Sequence, residues 1–264
     1  MKIFCVIIML ILSVVSYATD NFKHVRCEGL YKNHLQGIAV SNGKIFWSHT
    51  DVLVRTNADG KIEKFTLAPR HHGDCCFYDG KLYVSVNQPG QKTEHKNSIW
   101  VYDFDLNFIK KIQIKNLNSK GGIDGLEFHN GFFYLSGSFF SGEGENRTFK
   151  IFKLDKDFNL LETFLLPANE IVYGAQTICW AYDRFWLGMY LKKEHSHTQL
   201  KLWEVDENFK LIKKHKINAA VGLTPIDNAD GKNFLVAQAK IQKNTYAGCS
   251  AVAKPIKINP TSIK

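Results

Sequence analysis

The sequence lacks any long apolar run beyond its first few residues. After Ile3–Val15, no stretch approaches the roughly 20 apolar residues that a membrane-spanning helix requires. That first run is itself too short to span a bilayer comfortably, and it lies between Lys2 and Ser16-Tyr17-Ala18. A basic residue, a short hydrophobic core and a small-x-small site predict a secretory signal peptide over residues 1–18, cleaved after Ala18. We therefore expect a secreted, extracellular protein, or a periplasmic one in a bacterium, with no transmembrane segment in its mature form.

The sequence also lacks a concentrated block of charge, although it is basic overall. Its formal net charge is +9, yet its lysines are spread along the chain. Dispersed charge of this kind predicts a solvated basic surface, with weak attraction to acidic glycans as the alternative. Export and the absence of a basic-aromatic motif exclude nucleic acid as a partner.

The mature chain has an odd number of cysteines, so at least one thiol has no disulfide partner in a monomer. The five are Cys27, Cys75, Cys76, Cys179 and Cys249. Export permits disulfide bonds. Cys75, Cys76 and Cys179 fall on predicted strands and are interpreted as buried, inert thiols. A strained vicinal disulfide and a catalytic cysteine are the alternatives.

The mature chain does contain a repeated pattern of short strands. Gly121–Leu166 reads as four apolar runs separated by a His-Asn-Gly turn, a polar insert and an Asp-rich turn, which is typical of antiparallel hairpins. The insert holds the glycosylation sequon Asn146-Arg147-Thr148, used in a eukaryotic host. Similar Asp-rich turns begin at Asp103, Asp155 and Asp206, a period of roughly 50 residues. Repeated four-stranded sheets stack radially, so the pattern predicts one all-β propeller domain over residues 19–264.

The repeats define a five-bladed β-propeller with four antiparallel strands per blade. Blade A covers about 36–67, blade B begins near 71, blade C is 121–166, blade D covers about 176–217 and blade E begins near 222. Blade E has no convincing fourth strand, whereas Phe22–Glu28 precedes blade A without a blade of its own. We predict that this amino-terminal strand completes blade E and closes the ring. The pairing sets Cys27 beside the strand of Cys249 and predicts a disulfide between them.

Polar residues gather where the innermost strand of each blade begins, which in a propeller is one mouth of the central channel. Alignment of the blades brings together Gln36, Gly73, Asp124, Gln176 and Gly222. Ligand binding is assigned to His34, Gln36 and Gln176, and catalysis to His72, Asp74 and Asp124. Asp74 and Asp124 are also the candidate ligands of a divalent cation such as calcium.

Alternatives remain open at these positions. Because neighbouring residues on a strand face opposite ways, only one of His71 and His72 can face the channel. For either histidine, the alternative to a functional role is a structural one, as a hydrogen-bonded loop residue. For Asp124, the alternative is a structural role as a turn cap without a ligand. Glu127 lies three residues further on, so its side chain faces the opposite side of the strand and meets a neighbouring blade.

Short motifs recur at the blade turns: Gly37-Ile38, then Asn42-Gly43-Lys44-Ile45-Phe46 and Asp59-Gly60, echoed by Asp79-Gly80-Lys81-Leu82-Tyr83 and Asn130-Gly131-Phe132. In these motifs the chain resembles the NHL, gluconolactonase-like and quinoprotein-like propellers over nearly its whole mature length. Gluconolactonase-like members build a calcium site from inner-strand carboxylates and amides, and the resemblance places Asp74 and Asp124 in that role. The early Glu of that family has no counterpart here.

Two further likenesses concern activity. His34-Leu35-Gln36-Gly37-Ile38 is similar to the blade-opening Gln-Gly-Leu of plant-type glutaminyl cyclases, which are five-bladed and secreted. Five-bladed glycosidases use three channel carboxylates, for which this chain offers Asp74, Asp124 and Glu127.

The sequence therefore predicts a monomeric propeller with a polar ligand site at its channel mouth. The leading hypothesis is a metal-assisted hydrolase or lyase acting on a small molecule. A glutaminyl-peptide cyclotransferase is the first alternative. A noncatalytic propeller that recognises a protein or glycan through its long inserts is the second.

Overall fold

The computed structural model describes residues 22–261, except 69–70, 89–96, 116, 118, 120, 139–147, 168, 170, 192–200, 229–230 and 243–247. The predicted signal peptide and the sequon residue Asn146 lie outside the described residues. The regular structure of the described part consists of twenty β-strands. It includes no helix long and apolar enough to cross a membrane.

The strands form five antiparallel sheets of four. Blade A consists of β2 (Leu35–Ser41), β3 (Lys44–His49), β4 (Val52–Thr56) and β5 (Ile62–Leu67). Blade B consists of β6 (His71–Tyr78), β7 (Lys81–Asn87), β8 (Asn97–Tyr102) and β9 (Phe108–Gln113). Blade C consists of β10 (Gly122–His129), β11 (Phe132–Ser138), β12 (Thr148–Leu154) and β13 (Leu160–Pro167). Blade D consists of β14 (Ile171–Ala181), β15 (Arg184–Leu191), β16 (Leu202–Val205) and β17 (Leu211–His215).

Blade E joins the two ends of the chain. It contains β18 (Leu223–Asn228), β19 (Gly231–Gln242) and β20 (Gly248–Ile256), and β1 (Val25–Arg26) pairs with β20 as the outermost strand. The first strands β2, β6, β10, β14 and β18 contact one another in order, and β18 contacts β2. The five-bladed propeller closed by an amino-terminal strand is therefore confirmed.

The repeated turns have a local cause. Asn42, Asp79 and Asn130 adopt φ angles of 49°, 50° and 48°, and the glycine after each is also at positive φ. Two consecutive residues at positive φ form the tight turn that suits a two-residue hairpin, and Asn-Gly and Asp-Gly tolerate this conformation best. Each of these turns reverses the chain and joins the first strand of a blade to its antiparallel second strand. The first strands therefore begin at the same face of the ring.

Hydroxyl groups join neighbouring blades near the axis. Ser48 of blade A donates to the Gly73 carbonyl at 2.7 Å, and Ser85 of blade B donates to the Asp124 carbonyl. Ser136 of blade C donates to the Ala175 carbonyl at 2.5 Å. This series was not predicted from the sequence, although the serine recurs at the same place in three second strands.

Aromatic side chains of the second strands pack between blades, as predicted. Phe133 of blade C lies 5.0 Å from Tyr83 of blade B, and Tyr134 of blade C lies 5.7 Å from Phe209 of blade D, measured between ring centroids. Phe133 is fully buried, and burial of a side chain of this size contributes about 1.5–3 kcal/mol.

Cys27 and Cys249 lie on neighbouring strands, as the closure of the ring requires. The Cys27 amide donates to the Ala251 carbonyl at 3.0 Å, and Cys249 pairs with Tyr31. Both thiols are buried in the structure, and the Cys27 Sγ lies 3.2 Å from the Tyr31 hydroxyl. The disulfide between them stays a prediction.

Candidate functional site

A β-bulge interrupts the first strand of blades A to D at the same height. The pairing register shifts between Leu35 and Gly37, between His72 and Cys75, between Ile123 and Leu126, and between Ala175 and Thr177. A bulge inserts a residue without a cross-strand partner and re-aims its side chain. The residues inside these shifts include four of the predicted site residues: Gln36, Asp74, Asp124 and Gln176.

Asp74 is the most deeply placed of these four, at 1% exposure. Its Oδ2 accepts the amide of Leu126 at 3.2 Å and the amide of Ile178 at 3.0 Å, so one carboxylate joins the first strands of three blades. Burial raises its pKa well above the usual range, and Asp124 adds to the rise. Asp74 is therefore a positioning residue that fixes the inner strands relative to one another.

Position 37, next to Gln36, requires a glycine for a steric reason. A Cβ at Gly37 would lie 2.6 Å from both Cα and Oδ1 of Asp74, a distance that real Cβ atoms do not adopt. Blade A can approach Asp74 this closely only because residue 37 has no side chain. That approach positions Gln36 at the mouth.

Gln36 and His71 form the hydrogen-bonded centre of the mouth. The Gln36 Nε2 lies 3.2 Å from the His71 Nε2 and 3.4 Å from the Thr50 Oγ1. The His34 ring lies 6.3 Å from the His71 ring, measured between centroids. Burial lowers the pKa of His71, and His34 lowers it further, so His71 is neutral at pH 7. A neutral His71 that accepts the Gln36 amide proton at Nε2 carries its own proton on Nδ1.

The structure places the predicted catalytic His72 elsewhere. Its ring is fully buried, its Nε2 lies 2.9 Å from the Tyr102 hydroxyl, and it packs edge-on against Trp100 at 5.4 Å. His71 takes the place at the mouth. The strand alternation that allows only one of the two to face the channel selects the first of them.

Asp124 and Gln176 complete the mouth on the side of blades C and D. Asp124 is 7% exposed and Gln176 is 5% exposed. Burial raises the pKa of Tyr190 to about 12, and the charge of Asp124 contributes to the rise. Tyr173, which is half exposed, lies edge-on to Tyr190 with ring centroids 6.1 Å apart. Thr50, Tyr173 and Tyr190 are therefore additional residues of the site that were not predicted from the sequence, and His71 is the one of the two histidines that faces the channel.

A second group of ionisable side chains lies further along the first strands. Burial raises the pKa of Glu127 well above its usual range, and Asp74 adds to this rise. The pKa values of Cys75, Cys76 and Cys179 are also raised well above the usual range by burial. These cysteines are free and buried, as predicted, and a thiol with a raised pKa is a poor nucleophile.

The donor set at the channel does not suit a calcium ion. Within the described ranges, no group of three His, Cys, Asp or Glu side chains is placed to hold a metal. Asp74 already accepts two amide protons, and its raised pKa favours the neutral carboxyl, which is a weak ligand. The geometry thus does not support an ion held by Asp74 and Asp124 together.

Comparison with known proteins gives similarity of structure alone. No protein-family model matches the chain, and no curated protein matches it. The GH43B protein of a Bacteroides ovatus xyloglucan PUL aligns with a TM-score of 0.60 and 11% identity, over 90% of this chain and 55% of that one. An exo-β-1,3-galactanase from Clostridium thermocellum aligns with a TM-score of 0.58 and 10% identity, over 90% of this chain and 62% of that one.

A gluconolactonase from Xanthomonas campestris also aligns, with a TM-score of 0.47 and 10% identity, over 88% of this chain and 92% of that one. The chain spans about half the length of the Bacteroides ovatus protein and somewhat more of the galactanase. At such identities the likeness concerns the fold. The ring of five four-stranded sheets defines the class, a five-bladed β-propeller, as predicted.

Proposed function

We propose that the protein binds a small, uncharged, polyhydroxylated molecule at the mouth of its channel. The observation that carries the proposal is the state of two buried amides. The Gln36 Oε1 and the Gln176 Nε2 have no hydrogen-bond partner within the described residues, although both side chains are more than nine-tenths buried. A buried polar atom without a partner costs about 1–3 kcal/mol, and a bound hydroxyl group at each position offsets this cost.

The chemistry of the mouth supports a sugar-like ligand. Gln36 offers an acceptor, Gln176 offers a donor, and the His71 Nδ1, also without a partner in the described chain, offers a second donor. The exposed face of Tyr173 suits the apolar face of a sugar ring. Neutral donors and acceptors beside an aromatic ring match hydroxyl groups better than they match a strongly charged ligand. The names of two structural neighbours, which refer to xyloglucan and galactan, guide the choice of ligands to test.

Binding can be measured by saturation-transfer NMR with D-galactose and D-xylose. We expect Gln36→Leu and Gln176→Leu each to lose the signal, because each removes one unpaired amide of the mouth. Gln113→Leu is the matched control, since Gln113 lies on the outermost strand of blade B and bonds to the Asn97 carbonyl. The proposal is wrong if neither sugar binds the native protein, or if all three variants bind alike.

Hydrolase or lyase activity at the same mouth is the second candidate function. Asp124 supplies a carboxylate and His71 supplies a neutral imidazole, a combination suited to one general base with a polar partner. A glycosidase needs two carboxyl groups beside the substrate. Asp74 is committed to the inner-strand amides, so we favour chemistry that uses a single base.

This second function is tested with D-glucono-1,5-lactone as substrate. We expect Asp124→Asn to abolish turnover while it leaves sugar binding intact. Turnover that survives Asp124→Asn, or the lack of turnover by the native protein, would exclude this chemistry without affecting the binding proposal. Cyclisation of an amino-terminal glutaminyl peptide tests the cyclotransferase alternative. Metal analysis of the purified protein tests the predicted cation.

A further inference from the structure

A cavity opens between blades C and D on the face of the ring opposite the channel mouth. Its volume is about 140 Å³, and it lies among the first turn of blade C, the outer strands of that blade and the turn that follows Asp206 in blade D. A cavity of about 150 Å³ holds a molecule the size of benzene. This space therefore accommodates a small organic group, and it does not belong to the site at the mouth.

The cavity combines aromatic walls with two carboxylates. Phe132, Tyr134, Phe164 and Phe185 form the walls, and Glu162 and Glu207 line the opening. Neither glutamate forms an ion pair within the described part of the chain, although the protein carries a net charge of +9. Lys153, the basic residue of the lining, places its Nζ over the Phe132 ring at 4.3 Å. The local charge is therefore negative in a basic protein.

Tyr134 supplies a third polar group to the cavity. It lines the cavity and is only 6% exposed, yet its hydroxyl makes no hydrogen bond to any described residue. Burial raises the pKa of Tyr134, and Glu162 and Glu207 raise it further, so both carboxylates lie close enough to influence the hydroxyl. A hydroxyl without a protein partner beside two carboxylates provides a third polar contact for a bound cation.

In three of the other four seams, side chains of the protein occupy the equivalent positions. Between blades A and B, the guanidinium of Arg55 lies 5.0 Å over the Phe104 ring. Between blades B and C, the Nζ of Lys156 lies 5.8 Å over the Tyr78 ring. Between blades D and E, Thr261 donates its amide and its hydroxyl to the two oxygens of Glu204, each at 2.9 Å.

The repeat changes charge at the seam between blades C and D. Glu207 occupies the turn position held by Phe104 in blade B and Lys156 in blade C. Glu162 pairs with Lys153 across the outer strands, at the position where the cross-strand partner is Lys64, Lys110 or Lys213 in the other blades. Two of the other seams place a basic side chain of the protein over an aromatic ring. This seam also does so, since Lys153 lies over Phe132, but it adds two carboxylates around a cavity.

We propose that the cavity between blades C and D is a second binding site, specific for a small organic cation that carries a primary ammonium group on a short apolar stem. The stem lies among the aromatic walls. The ammonium group faces Glu162, Glu207 and the Tyr134 hydroxyl. Aromatic faces and carboxylates both attract a cation, and the attraction grows where water is excluded.

The experiment is a calorimetric and NMR titration of the whole protein with n-butylammonium at low salt. n-Butanol serves as the neutral probe of the same shape and butanesulfonate as the anionic probe. We expect butylammonium to bind at least about tenfold more tightly than either probe. Glu162→Lys, which installs the residue type of the other blades, is expected to abolish binding, and Glu207→Gln to weaken it. Asp59→Asn is the matched control, because Asp59 is an exposed turn carboxylate of blade A.

Several outcomes would overturn the proposal. Equal binding of butylammonium and butanol would show an apolar cavity without charge selection, and tighter binding of butanesulfonate would assign the site to Lys153 and an anion. Retained binding in Glu162→Lys, or no binding of butylammonium to the native protein, would also refute it. Because Glu162 and Glu207 are exposed, unchanged thermal unfolding of the variants should confirm that they fold.

Discussion

Replacing Asp74 with alanine removes the acceptor that joins three blades at the channel. Its Oδ2 bonds to the amides of Leu126 and Ile178 at 3.2 and 3.0 Å, in a site that is 1% exposed. Each buried amide left without an acceptor costs about 1–3 kcal/mol, so Asp74→Ala should lower the free energy of unfolding by about 2–6 kcal/mol. Urea titration followed by tryptophan fluorescence measures the loss.

Asp74→Asn separates the charge from the hydrogen bonds, because an amide oxygen can still accept both protons. Burial raises the folded-state pKa of Asp74 well above its ordinary value of 3.8. The stability linked to a raised carboxyl pKa is fully present below the unfolded value and is lost as the pH rises through the folded one. The native protein should therefore lose stability relative to Asp74→Asn as the pH rises from 4, by up to about 1.4 kcal/mol per pH unit.

The comparison of Asp74 with Asp74→Asn needs a control for Glu127. Removing the charge of Asp74 also relieves the rise in the pKa of Glu127. The same pair of proteins is therefore compared in a Glu127→Gln background. If the stability difference between aspartate and asparagine at position 74 is constant from pH 4 to pH 8 in that background, the reasoning about burial of Asp74 is refuted.

Three further predictions concern the packing of the blades. Ser136→Ala removes a hydroxyl that donates to the Ala175 carbonyl at 2.5 Å and accepts the Gly125 amide at 2.6 Å. We therefore expect the free energy of unfolding, measured by urea titration, to fall by about 1–3 kcal/mol. Ser41→Ala is the control, and an equally small loss in both variants would contradict this. Tyr102→Phe removes the partner of His72 and should cost about 1 kcal/mol while sugar binding is unchanged; lost binding would instead connect His72 to the site. Peptide mapping of the exported protein under nonreducing conditions should recover Cys27 linked to Cys249, and free thiols at both positions would disprove the disulfide.

The number of blades could be predicted from the sequence because the turns that separate the strands are local. Asn42-Gly43 and Asp79-Gly80 need positive φ at both residues, and few residue types tolerate it. The closure of the ring followed from a strand missing at one end of the chain and a strand without a blade at the other.

The chemistry of the mouth was harder to predict, because it depends on register. Strand alternation limits His71 and His72 to one channel-facing residue, but only the pairing with β7 decides which one. The bonds of Asp74 reach residues 52 and 104 positions further along the chain, so no local pattern indicates them. A bulge likewise depends on the partner strand, which explains why the four polar residues could be aligned while their common cause stayed hidden.

In the proposed binding mode, the bulges direct Gln36 and Gln176 toward a ligand at the channel mouth. A crystal structure of the protein soaked with D-galactose tests it most directly. We expect a sugar with one hydroxyl group within hydrogen-bond distance of the Gln36 Oε1 and another near the Gln176 Nε2. A sugar bound elsewhere on the ring, with both amides still unpaired, would contradict it.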